Sequence, residues 1–140
     1  CHYDTLRRAH HKFLTRCIGW RKHNRADHPI SSLDTLLKTG SESIETTLRR
    51  RRILFAGFVA RVGDTRLPKC VMFGEMVGGA GCKGCFLDDL RAFGINADQW
   101  TTAAQDKGKW RRTTEQGADH FMAKWIAAET AKAGLRHAVV

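Results

Sequence analysis

Residues 42–62 read ESIETTLRRRRILFAGFVARV. Ile44, Leu48, Phe55, Val59 and Val62 recur at helical spacing, and Gly63 supplies a stop. Elsewhere no segment alternates apolar and polar residues with the two-residue period of a half-buried strand. The embedded run Arg49-Arg50-Arg51-Arg52 advances ~100° per residue, so it surrounds the helix and forms no stripe. On this reading Arg51 falls between Leu48 and Phe55 and must lie flat or find a partner. The stretch points to an all-α chain.

Working outward, a first helix is expected from about Asp4 to Gly19, capped by Asp4, with Leu6, Phe13, Leu14, Cys17 and Ile18 on one face. A basic connector follows from Arg21 to Pro29. Ile30-Ser31-Ser32-Leu33-Asp34 has the form of a helix start: Ile30 as staple, Ser31 as cap, Asp34 as its reciprocal partner, and Gly40 as the end.

On the other side, Leu67-Pro68 breaks the chain, and Val71 to Met76 fits either a short strand or one to two helical turns. Phe86, Leu87, Leu90 and Phe93 suggest a helix closed by Gly94. Asn96 would cap another holding Trp100, Ala103 and Ala104. A last helix runs from about Lys109 to Ala133 with Trp110, Phe121, Trp125 and Ala128 on one face. The expectation is five to six helices, in one small helical domain or two loosely joined subdomains. Residues 1–77 form a basic helical segment, 78–85 a Gly/Cys linker with four glycines, and 86–140 a C-terminal helical segment.

Composition supports a folded, basic chain. Apolar residues make up 42% of the 140, with seven Phe and four Trp spread along the length, which is enough for a core. Lys and Arg number 24 against 14 Asp and Glu, a net charge of +10. Such a surface attracts polyanions, so nucleic acid is the first partner to consider. No apolar run approaches the ~18 residues of a membrane span, and no signal peptide or lipidation motif is present. Five cysteines (Cys1, Cys17, Cys70, Cys82, Cys85) without a secretory signal suit reduced thiols in the nucleus or cytoplasm, and a first residue other than Met suggests a fragment.

The string from Arg49 to Arg61, RRRRILFAGFVAR, followed by DTRLPK at Asp64–Lys69, resembles the RRRRLRWxGHVxRM, DxRLPK block found after the polymerase in non-LTR retrotransposon open reading frames. Leu6 to Trp20 is similar to the preceding family segment, a basic helix ending in an Ile-Gly-aromatic pattern. Phe86 to Arg112, with INADQW at Ile95–Trp100 and AQDKGKWR at Ala104–Arg111, looks like the family's final helical motif. The resemblance spans nearly the whole chain and implies the post-polymerase, C-terminal region of an endonuclease/reverse transcriptase polyprotein. It departs at Phe55, Phe58 and Val62, where the family has tryptophan, histidine and methionine, and in a shorter Gly78–Cys85 segment.

Three constellations invite chemistry. Phe86-Leu87-Asp88-Asp89 mimics the aromatic-x-Asp-Asp of polymerases, but a hairpin needs period-two flanks and a third carboxylate, so the aspartates read as first-turn acids favoured by the helix dipole. Cys82-Lys-Gly-Cys85 could give two thiolates to zinc with Cys70 as a third, and His120 or a terminal histidine beyond. No second pair at ligand spacing exists, so two ordinary thiols and no cofactor is the preferred reading. A dithiol oxidoreductase would want a βαβ setting that is missing. The seven histidines show no metal-helix pattern, and Ser31, Ser41 and Ser43 read as caps, not nucleophiles.

The remaining signal is basic. Arg49, Arg50, Arg52, Arg61, Lys107, Lys109, Arg111 and Arg112 are the candidate nucleic-acid contacts, with Trp20 and Trp110 interleaved. The arginine run also fits a nuclear localisation signal or a solvated surface. Trp100, Trp110 and Trp125 fall on apolar faces and read as core anchors. The expected function is a non-catalytic helical accessory region, beside an upstream reverse transcriptase domain, that contacts template RNA or target DNA. No small-molecule substrate is called for. The alternatives are a degenerate retroelement remnant with only structural character and a small zinc-binding nucleic-acid module.

Overall fold

The computed structural model describes residues 3–20, 30–69 and 83–138, and among these it is all-α with no strand. Six helices lie wholly within the described residues, in order α1 (Tyr3–Cys17), α2 (Ser32–Thr39), α3 (Ile44–Arg61), α4 (Lys83–Ala92), α5 (Trp100–Ala103) and α6 (Lys107–Ala138). The expected strand or turn at Val71–Met76 and most of the 78–85 linker lie outside the described residues; the last three linker positions already belong to α4. Contacts group the chain into two units. One combines Cys1–Thr47 with Met122–Val140, and the other is Leu48–Phe121.

Helix ends follow the local chemistry. Ser31 has extended backbone and its Oγ accepts the Asp34 N–H at 3.0 Å, while its own hydroxyl donates to Asp34 Oδ2 at 2.7 Å. Gly40 (φ 61°) stops α2: its N–H donates to the Leu37 carbonyl and the Ser41 N–H to Leu36, the paired bonds of a Schellman end. Gly94 (φ 68°) closes α4 the same way through Ile95 N–H to Leu90 and Gly94 N–H to Arg91. Ser43 caps α3, with its Oγ accepting the Thr46 N–H at 3.2 Å. Asn96 does not cap α5. Its Oδ1 accepts the Asp98 N–H two residues on, an Asx-turn that leads into the helix.

In the first unit, α1 packs on α2. Of the expected α1 stripe only Leu14 is buried; Leu6, Phe13 and Cys17 are exposed. The inward face is rotated toward His10 and His11, because His11 Nε2 meets the buried Thr35 hydroxyl at 3.1 Å and Arg7 reaches the buried Glu45. This interior is unusually polar, with Thr35, Ser43, Glu45 and Thr46 all buried beside Leu14 and Leu36. Each has a partner, as burial demands: the Ser43 and Thr46 hydroxyls bond to each other at 2.7 Å.

The second unit holds the main apolar core: Ile53, Ala56, Ala60, Leu90, Phe93, Ile95, Trp100, Ala104, Trp110 and Ala118. Trp100 sits between Phe86 (centroids 4.8 Å apart, edge-on) and Trp110 (6.1 Å), so the aromatic rings form the centre. Trp110 is 1% exposed and its indole N–H donates to the Ile53 carbonyl at 3.1 Å. The face of α3 that meets it is Ile53, Ala56, Gly57 and Ala60; of the expected stripe Val59 is buried, Ile44, Leu48 and Val62 are half-buried, and Phe55 is exposed. Small residues win because the large indole must approach the helix backbone. Phe55 and Phe58 are turned outward as a result. On α6, Phe121 and Trp125 are half-buried and Ala128 is exposed, so the expected apolar face fades toward the C-terminus.

Candidate nucleic-acid interface

The arginine run is divided by what its members meet. Arg49 and Arg52 are three residues apart and share a side of α3. Arg49 Nη1 donates to Asp89 Oδ1 at 2.7 Å, Arg52 Nη2 donates to the same oxygen at 2.9 Å, and Arg52 Nε lies 2.6 Å from Oδ2. The Asp89 side chain is 1% exposed. A buried carboxylate requires cationic partners, and two guanidinium groups supply them. Arg49 also lies over the Phe121 ring, 5.2 Å from its centroid.

The reading of Asp88 and Asp89 as first-turn acids is therefore corrected. Helix α4 begins at Lys83, so both fall in its second half; Asp88 pairs with Arg91 at the surface while Asp89 anchors the interior. The placement of Arg51 against the core is corrected as well. Arg51 is exposed, because the inward face of α3 is set by Trp110. Arg50 is half-buried.

Arg61 donates to the Ala104 carbonyl, the residue after α5, and so ties the end of α3 to the end of that short helix. The other four predicted contacts are different. Lys107, Lys109, Arg111 and Arg112 are all exposed on the first two turns of α6, where Arg111 makes one surface pair with Glu115 at 2.9 Å. The helix itself is capped by Asp106, whose Oδ1 accepts the Lys109 N–H at 2.9 Å. That hydrogen bond holds the Asp106 carboxyl below its ordinary range; burial opposes it slightly, and the Gly108 N–H and the charges of Arg112 and Lys109 add to it. Because a helix N-terminus carries partial positive charge, Lys107 and Lys109 in the first turn work against the stability of α6, and Arg111 and Arg112 extend the positive charge into the second turn. Only one acid, Asp106, offsets them at the cap.

Of the two tryptophans interleaved with the basic clusters, Trp110 is enclosed in the core and cannot stack on a base, while Trp20 is half-buried with Lys38 Nζ 4.3 Å over its ring. Three phenylalanines among the described residues do face outward, Phe13 on α1 and the neighbouring Phe55 and Phe58 on α3, the last two 58% and 53% exposed. Sequence reading missed the α3 pair by assigning Phe55 to the core. The available signal was the small-residue face Ala56-Gly57-Ala60, which competes with it at the same helical period.

Cys70 and Cys82, with the side chain of Cys85, lie outside the described residues, so the zinc candidate does too. Among the described residues no cluster of three His, Cys, Asp or Glu could hold a metal, and no helix is long and apolar enough to cross a membrane. The first unit contains a cavity of about 40 Å³ bordered by His10, His11, Leu14, Thr35 and Trp125, room for a few water molecules. Burial, then the neighbouring charge of His11, lowers the affinity of His10 for its proton.

No protein-family model, curated protein or solved structure matches this chain.

Proposed function

We propose that this chain is a non-catalytic, basic helical accessory region of a non-LTR retrotransposon reverse transcriptase polyprotein, working in the nucleus or cytoplasm. In this reading it stands beside the upstream polymerase domain and contacts template RNA or target DNA through the phosphate backbone. The order and spacing of the Arg49–Lys69 and Phe86–Arg112 motifs support the context, and the net charge of +10 supports the partner.

The observation that carries the contact is the exposed quartet Lys107, Lys109, Arg111 and Arg112 on a helix N-terminus. Cations placed where the helix dipole repels them are unfavourable in the isolated chain, and a polyanion relieves that repulsion. A catalytic reading of Asp88-Asp89 is opposed by Arg49 and Arg52, which already hold Asp89.

Binding of labelled single-stranded RNA and duplex DNA, measured as a function of salt, tests the proposal. Each neutralised phosphate contributes a logarithmic slope of roughly −0.7 on single strands and −0.9 on duplex. Replacing all four quartet residues with Ala should shallow the slope by about three units on single strands and about three and a half on duplex, and leave the helical spectrum intact. No binding by wild type at ~50 mM salt would defeat the proposal and favour a structural remnant.

A further inference from the structure

The outer face of α3 carries Arg51, Phe55 and Phe58 at positions i, i+4 and i+7, all exposed. The two rings are neighbours, with centroids 6.2 Å apart and planes tilted by 34°. They support one another at ordinary aromatic distance but are splayed, so they are not closed into a parallel stack. The same helix buries Ala56, Gly57 and Ala60. Ile53 and Val59 are buried with them, so the approach of the Trp110 indole leaves the two phenylalanines of this helix in solvent.

We infer that Phe55 and Phe58 form a stacking platform for unpaired bases of single-stranded nucleic acid, with Arg51 on the phosphate side. The inference rests on the nucleic-acid reading above and narrows it to the unpaired strand. Every base has a π-face that can lie on a ring, and an arginine one helical turn away suits the adjoining backbone. In duplex the base faces are already stacked on one another and out of reach. Charge selects the occupant: an exposed aromatic pair beside Arg51 on a chain of net charge +10 is matched to a polyanion that also carries flat apolar surfaces. A protein partner would need more. Val62, the next position on this stripe, is already half-buried, and two rings fall far short of the roughly 800 Å² per partner of a stable interface.

The test uses the full chain and two labelled probes: a twelve-nucleotide oligouridine and a hairpin duplex of equal charge. Phe55→Ala/Phe58→Ala should weaken oligouridine binding by about tenfold or more for each base stacked. Duplex binding should stay within about twofold, and the salt slope on oligouridine should not change, because no phosphate contact is lost. Phe55→Leu/Phe58→Leu keeps apolar bulk without a π-face and should lose affinity for oligouridine as well. Wild-type affinity in either double variant, or an equal loss on both probes, overturns the platform while leaving the backbone contact standing. Failure of wild type to bind either probe overturns both.

Discussion

The indole of Trp110 lies directly on Gly57. A Cβ built at that glycine would come 2.0 Å from the indole Nε1, and the same nitrogen donates to the Ile53 carbonyl one turn back. Trp110 thus reads α3 by its lack of a side chain at one position and by a carbonyl at another. Gly117 makes a similar approach to Phe93, where an added Cβ would stand 2.7 Å from the Phe93 Cβ.

Gly57→Ala should destabilise the chain although alanine is the better helix former by about 1 kcal/mol. The overpacking cost of about 1–3 kcal/mol or more outweighs that gain, because the clashing atoms belong to a buried indole with nowhere to move. Gly134→Ala, a position on the same helix as Trp110 with nothing within 4 Å, is the control and should stabilise by up to about 1 kcal/mol. Urea midpoints for the two variants would lie on opposite sides of wild type; a neutral Gly57→Ala would contradict the packing.

Asp89→Ala should be among the most damaging single changes, costing about 3 kcal/mol, because it leaves the partly covered Arg49 and Arg52 without the buried carboxylate they share. Arg51→Ala, next to the clamp residue Arg52 but exposed, should stay within about 0.5 kcal/mol of wild type. Thermal melts of the two proteins decide it, and equal melting temperatures would be incompatible with the clamp.

Asp106 gives a pH dependence at the acid end. Its carboxyl binds a proton less readily in the folded chain than in the unfolded one, first because it accepts the Lys109 N–H. The unfolded chain therefore takes up protons first as pH falls. The stabilisation is present above the ordinary carboxylate range and is lost as pH drops through the lowered folded value. Asp106→Asn keeps an N-cap acceptor and should lose stability at neutral pH only slightly, while flattening the acid limb; Asp106→Ala should lose the cap as well. Stability curves taken from pH 6 down to pH 2 separate the three proteins.

His10 works nearer neutrality and in the same direction. Burial and the charge of His11 lower its proton affinity, so the unfolded chain protonates first. Its contribution is present above the unfolded value near 6.5 and disappears as pH falls through the lower folded one. His10→Gln should reduce the loss of melting temperature between pH 7 and pH 5, a small effect for a group that is only partly covered. An identical pH profile in the variant would remove His10 from the account.

What could be read in the sequence was what local chemistry decides. Ser31 and Asp34, Gly40 and Gly94 fix helix ends through neighbours within six residues, and all four were legible. The facing of α3 was not. Periodicity offers Phe55 and Ala56-Gly57-Ala60 equally, and the choice is made by Trp110, which is 57 positions from the carbonyl it holds. The same distance hid the division of the arginines. Charge density was plain from composition, but Asp89 lies 40 and 37 positions from Arg49 and Arg52, so nothing local marked those two as inward. Lys107, Lys109, Arg111 and Arg112 were legible as exposed because their partners, where present, are within one turn.

Four identical letters in a row suggest four interchangeable residues, and the clamp on Asp89 makes them unequal under mutation. The Arg52 guanidinium fork meets both carboxylate oxygens, which a lysine ammonium cannot do, so Arg52→Lys is not a mild change here, and Arg49→Lys gives up the ring contact with Phe121 beside its single bond to Oδ1. Arg51 has no such geometry to keep. Among related sequences, position 51 should wander freely between arginine and lysine. Positions 49 and 52 should stay fixed for as long as position 89 is aspartate, and change only in its company.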